Sequence, residues 1–169
     1  FQKLSKSKKG KILYNKSQII KLIKKDINKI DLLILSDFSY GVITKKLVDT
    51  INKFKTKNKK LIIVGDSQSS SQIGDITKFS NIDLTTPTEY EIRLGLRDFS
   101  SGLVELGLQA IKQNISKNVI ITLNKEGVLI QQGKEKFSTD KIAALSNVVR
   151  DPAGAGDCFL CACSMSFAL

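Results

Sequence analysis

Short runs rich in Ile, Leu and Val at residues 32–35, 61–64, 82–85 and 119–123 alternate along the chain with longer segments of helical period. No other feature limits the fold as much. Such runs, bounded by polar residues, read as strands buried on both faces, and strands that take turns with amphipathic helices pair in parallel beneath those helices. The predicted class is α/β. At 169 residues and 41% apolar content the chain can bury a core within one domain, with no repeat, heptad pattern or internal boundary.

Between these strands the pattern is specific. Ser17 can cap a helix reaching about residue 30, whose Ile19, Ile20, Ile23 and Ile27 recur at spacings of three and four and share one face. A second helix is expected over 44–54, with Leu47, Val48 and Ile51 apolar, which completes a βαβ unit. The serine-rich stretch 67–71 sits where a loop leaves a strand's carboxyl end, the position that carries function in open α/β sheets. Pro87 suits the first turn of a helix that holds Glu89 and Glu91 near its positive end. A further helix is expected over 101–113, a hairpin partner over 128–130, and a last apolar helix from about residue 155.

Charge and cysteine content narrow the function classes. The formal net charge of +11 would suit phosphate backbones, but arginine occurs only at 93, 97 and 150, and lysine is spread through nearly every connection without interleaved aromatic residues. That distribution argues against nucleic acid as a partner and suits a small anion such as ATP or a sugar phosphate. Cys158, Cys161 and Cys163 lie together in one apolar stretch, an odd number with no histidine in the chain to complete a metal set, so they are expected to be small buried hydrophobes in a reducing, cytoplasmic setting. No run approaches the ~20 apolar residues of a membrane span, and no leader pattern precedes the first helix. Phe1 is not an initiator methionine and the chain stops inside an apolar segment, so both ends are expected to be cuts within a longer chain.

The strongest chemical signal is the turn Asp151-Pro152-Ala153-Gly154-Ala155-Gly156-Asp157 that opens the last helix. Glycines around an alanine let a ligand approach the backbone, and the first N–H groups of the helix have no intrahelical acceptor. That combination makes an anion site in which a transferring phosphoryl group could lie over Gly154, Ala155 and Gly156. An aspartate in a first helical turn also stabilises the helix by about 1 kcal/mol or less without any further role. Phosphoryl transfer to an alcohol needs anion-binding donors and a carboxylate to take the hydroxyl proton, and Asp157 stands where that base would be.

This turn resembles the Asp-Thr-x-Gly-Ala-Gly-Asp signature of the ribokinase or PfkB family of carbohydrate kinases, with Pro152 in place of Thr. The resemblance implies a ribokinase-like three-layer sandwich that uses ATP and Mg2+. It implies Asp157 as catalytic base, the amides of Gly154, Ala155 and Gly156 as anion hole, and Asp151 at a monovalent cation such as K+. Thr86-Pro87-Thr88-Glu89-Tyr90-Glu91 resembles the family's Pro-Asn-x-x-Glu segment, which implies that Glu91 supports Mg2+ through water, with Thr88 in place of Asn. Thr122-Leu123-Asn124-Lys125-Glu126-Gly127 resembles its Thr-x-Gly-x-x-Gly nucleotide turn, which implies nucleotide contacts for Thr122, Asn124 and Gly127. Asn124 replaces a glycine there, and asparagine tolerates a left-handed turn better than most residues.

Ser36-Asp37-Phe38-Ser39-Tyr40-Gly41 resembles the Ser-Asp-Tyr-Gly-Lys-Gly segment of the heptose-phosphate kinase branch, with Tyr40 for the lysine. Asp37, and likewise Asp66 after the next strand, either contacts substrate or closes a turn. The family's Gly-Gly sugar segment and β lid have no counterpart, since no two glycines are adjacent, and the chain is expected to be the carboxyl-terminal portion of one kinase domain. The expected activity is transfer of the γ-phosphoryl of ATP to a hydroxyl of a sugar or sugar phosphate, heptose 7-phosphate included, in a parent that can form a homodimer. The alternatives are a catalytically silent nucleotide-binding or scaffold fragment and a nucleic-acid binder driven by net charge.

Overall fold

A computed structural model describes residues 16–69, 72–133, 138–146, 148 and 153–169. The elements follow in the order α1 (Lys16–Asp26), β1 (Leu32–Asp37), α2 (Lys45–Lys55), β2 (Ile62–Ser67), β3 (Ile82–Thr85), α3 (Glu89–Leu96), α4 (Leu103–Lys112), β4 (Ser116–Thr122), β5 (Val128–Gln132), β6 (Thr139–Ile142) and α5 (Ala155–Ala168). The strands form one sheet in sequence order, parallel from β1 to β4 and antiparallel from β4 to β6.

This order explains the layering. Parallel strands joined by right-handed crossovers that always step in one direction place their connecting helices on the same face. The main core accordingly lies there, with Leu47, Val48 and Ile51 of α2, Ile92 of α3 and Leu106 and Ala110 of α4 packed on Leu35, Ile63, Val119 and Ile121. The other face is covered by α5, which returns from the far edge onto β1 and β2 and buries Leu160 against Val64 and Leu84. The result is the expected α/β sandwich of three layers.

Several boundaries differ from the sequence reading. The first helix ends at Asp26, short of residue 30, and Ser17 lies inside its first turn instead of capping it. Pro87 precedes α3, where Thr88 is the cap, and its carbonyl accepts from Thr122 N at 2.9 Å. The edge strand β6 has no counterpart in the apolar pattern, because its four residues are all exposed. Cys158 and Cys161 are exposed and Cys163 is half-buried, against the expectation of three buried side chains. The reason is geometric: only Leu160 and Ser164, one turn apart, are fully buried on the helix, and α5 spans part of that face alone.

Candidate active site

Apolar runs mark where strands are buried but not where they stop. Backbone pairing carries β1 and β2 past their last aliphatic residues, through Ser36↔Asp66 and Asp37↔Ser67, so both aspartates stand within strands at the carboxyl edge of the sheet and not in the loops that follow. Asp37 is 2% exposed, and its oxygens are engaged: Oδ1 accepts from Ser39 N at 3.1 Å, and Oδ2 accepts from Ser67 Oγ at 3.2 Å and pairs with Lys78. Asp66 is 5% exposed, yet its Oδ1 has no hydrogen-bond partner among the described residues. Burial, then the charges of Glu91 and Asp157, push its carboxyl up to about 7, against a smaller opposing effect of the Ser67 amide.

Glu91 belongs to the same edge. It closes a capping box with Thr88: Thr88 Oγ1 accepts from Glu91 N at 3.2 Å, while Glu91 Oε2 accepts from Thr88 N and Oγ1, both at 2.9 Å. Its Oε1 accepts from Ser69 N at 2.7 Å. The residue thus starts its helix, as the plain reading of Pro-Thr-Glu has it, and also ties α3 to the loop after β2.

The glycine turn lies at the mouth of α5. Gly154 adopts a left-handed φ of 77°, and the first helical bond runs from Cys158 N to Gly154 O at 2.9 Å, so the amides of Ala155, Gly156 and Asp157 have no intrahelical acceptor. Residues 154–156 are exposed, and among the described residues no atom beyond the chain neighbours and the helix's own backbone stands within 4 Å of where a Cβ on Gly154 or Gly156 would be. The half-buried Asp157 points to the sheet edge, where its Oδ1 accepts from Gln68 Nε2 at 2.6 Å. Asp151 and Pro152 lie outside the described residues.

The turn between β4 and β5 reaches this edge through the parallel bridge of Thr88 with Thr122. Asn124 takes a left-handed φ of 53°, as its replacement of a glycine requires. Gly127 cannot be replaced without distortion: its φ is 92°, and a Cβ would stand 2.0 Å from the carbonyl oxygen of Ile142.

The structure therefore brings Asp37, Asp66, Glu91 and Asp157 to one edge, with the exposed glycine turn 154–156 and the first-turn amides of α5 beside the last of them. Sequence reading missed Gln68 and Ser69. The signal for them was the serine-rich stretch at a strand's carboxyl end, which marks a functional loop without saying which residue holds what.

The family model described as pfkB family carbohydrate kinase matches residues 6–168. This chain belongs to the pfkB family of carbohydrate kinases. It is 28% identical over 154 residues to the Bifunctional protein HldE of Helicobacter pylori, covering 89% of this chain and 32% of that one. Phosphofructokinase-2 from Escherichia coli, solved in complex with fructose-6-phosphate, superposes with a TM-score of 0.67 at 14% identity, covering 88% of this chain and 49% of the other. Ribokinase of Arabidopsis thaliana, complexed with ribose and ATP, gives 0.64 at 16% identity, covering 89% and 46%. The chain thus spans about a third of the length of its curated relative and about half of those solved chains. Among the described residues no helix is long and apolar enough to cross a membrane.

Proposed function

We propose that the protein carrying this chain transfers the γ-phosphoryl group of ATP to a hydroxyl of a sugar or sugar phosphate, with Asp157 as general base and the amides of Gly154, Ala155 and Gly156 as the anion hole. The observation that carries this reading is the juxtaposition at α5: exposed first-turn amides without an intrahelical acceptor, next to a carboxylate that faces the sheet edge. Asp157 takes the proton of the attacking hydroxyl. The amides bind the phosphoryl oxygens as negative charge builds on them. ATP and a sugar or sugar phosphate are what the solved neighbours hold. Heptose 7-phosphate is the acceptor favoured by the 36–41 segment.

Magnesium fits the donor set. It takes hard oxygen ligands and keeps several waters, and Asp66 offers a buried oxygen without a partner among the described residues, beside Glu91. Asp66 would hold it directly and Glu91 through water. Bound magnesium supplies positive charge against the β- and γ-phosphates. Thr122, Asn124 and Gly127 would line the nucleotide, and Asp151 would hold a monovalent cation. Asp37, with both oxygens engaged inside the protein, braces the edge in this reading instead of meeting the sugar.

Asp157→Asn in the full-length protein should lower kcat by about 10^3-fold and leave ATP affinity within a few-fold, measured by a coupled ADP-release assay and by nucleotide titration. Near wild-type turnover would refute the base assignment. The partial coverage of the relatives favours a second reading for the chain alone, nucleotide binding without turnover, and the same two assays on these 169 residues separate it from the first.

A further inference from the structure

We propose that Gln68 is a positioning residue for the transfer, its side-chain amide fixing the orientation of the Asp157 carboxylate; this rests on the reading of Asp157 as base. Three consecutive residues after Asp66 each hold a different carboxylate. Ser67 Oγ donates to Asp37 at 3.2 Å, Gln68 Nε2 to Asp157 at 2.6 Å, and Ser69 N to Glu91 at 2.7 Å. Four carboxylates gathered at one edge repel one another, and side chains without assigned donors would swing away from the common space. This segment gives three of them a place, while Asp66 Oδ1 has no donor among the described residues.

Gln68 is built for that task. Its own backbone is held on both sides, its N–H donating to Asp37 O at 2.9 Å and its carbonyl accepting from Ser39 Oγ at 3.1 Å. The side chain therefore extends from a fixed point on the sheet to a helix 89 residues further along the chain. At 2.6 Å the bond is short for an amide donor, which leaves the carboxylate little room to turn. An amide also differs in kind from a lysine at this position. It binds Oδ1 without adding a positive charge, which would form an ion pair and weaken the carboxylate as a base, and Oδ2 bears no hydrogen bond among the described residues, so it remains for the incoming hydroxyl. A base displaced by about 1 Å can cost on the order of 10^2-fold in rate.

The test is a double-mutant cycle in the full-length protein, with Gln68→Leu and Asp157→Asn alone and together, read as kcat, both KM values and the thermal midpoint. Gln68→Leu should lower kcat by about 10- to 100-fold with each KM within about twofold and the midpoint unchanged, and should cost nothing more in the Asp157→Asn background. Gln68→Glu, equal in shape, should be the more damaged at neutral pH, because it replaces the donor to Asp157 with a fifth carboxylate at this edge. The inference is overturned by wild-type kcat in Gln68→Leu, by an equal loss in both backgrounds, or by a loss that tracks a lowered midpoint. Each of those results leaves a crippled Asp157→Asn intact as support for the base reading, whereas full activity in Asp157→Asn alone sinks that reading instead.

Discussion

Two buried aspartates stand at opposite ends of the strands, and their surroundings could hardly differ more. Asp83, near the amino end of β3, is given every donor it needs by the chain itself: Lys55, Lys117 Nζ at 2.8 Å, and the backbone amide of Ile63 at 2.8 Å. Burial opposes its charge, but the two lysines outweigh it and hold the carboxyl below its usual range. Lys55 fares less well, since burial and the nearby Lys117 cost its ammonium more than the one carboxylate returns, and it too is held below its ordinary value. Asp66, at the carboxyl end of β2, pairs with no lysine among the described residues; burial and other carboxylates drive it the opposite way, to about 7. A buried charge satisfied by its own chain is part of the scaffold. One that the chain leaves unsatisfied marks a place completed from outside.

The largest test of that contrast is Asp83→Ala. It strands a mostly buried Lys55 and the Ile63 amide, and should cost about 3 kcal/mol in urea unfolding while turnover per folded molecule stays unchanged. A change in kcat of the folded fraction would erase the distinction between the two ends.

Next comes Asp66→Asn, measured without divalent cations. The folded carboxyl titrates near 7 against an ordinary 3.8, so between those values the folded state keeps a proton that the unfolded state has released. Stability of the wild type must therefore fall as pH rises from about 4 to about 7 and level off above, by at most about 4 kcal/mol. The Asn variant should flatten this slope and exceed the wild type by about 2 kcal/mol at pH 8, and added magnesium should flatten the wild-type slope as well. A wild type that grows more stable across that interval contradicts the contrast. The smallest effect belongs to Lys117→Met: this lysine is partly exposed and Lys55 remains, so the loss should be about 1 kcal/mol or less.

Much of this was legible in the residues. The alternation of apolar runs and helical segments gave the sheet and its layers, and the turn 151–157 marked the mouth of α5. Asn124 could be read as a left-handed position from its chemistry alone. The rest depended on partners distant in sequence. Strand ends at Asp37 and Asp66 are set by pairing between β1 and β2, which a local apolar pattern cannot register. The strand β6 forms from Thr-Asp-Lys-Ile because β5 offers it an edge, not because those residues favour burial. The bond of Gln68 to Asp157 spans 89 residues, so nothing near either residue announces it. The exposed cysteines followed from how much of the sheet α5 covers, a property of the assembled layers.

The neighbour-by-neighbour order of the sheet carries a consequence for biosynthesis. Each strand docks on one that has already left the ribosome, so the scaffold can be laid down from the first strand outward with short loop closures. Asp37, Asp66 and Glu91 are all in place before α5 has been translated, and Asp157 reaches them only when that helix swings back to the opening strands. A nascent chain can therefore hold a folded platform of three carboxylates, and the fourth joins it in one late docking event.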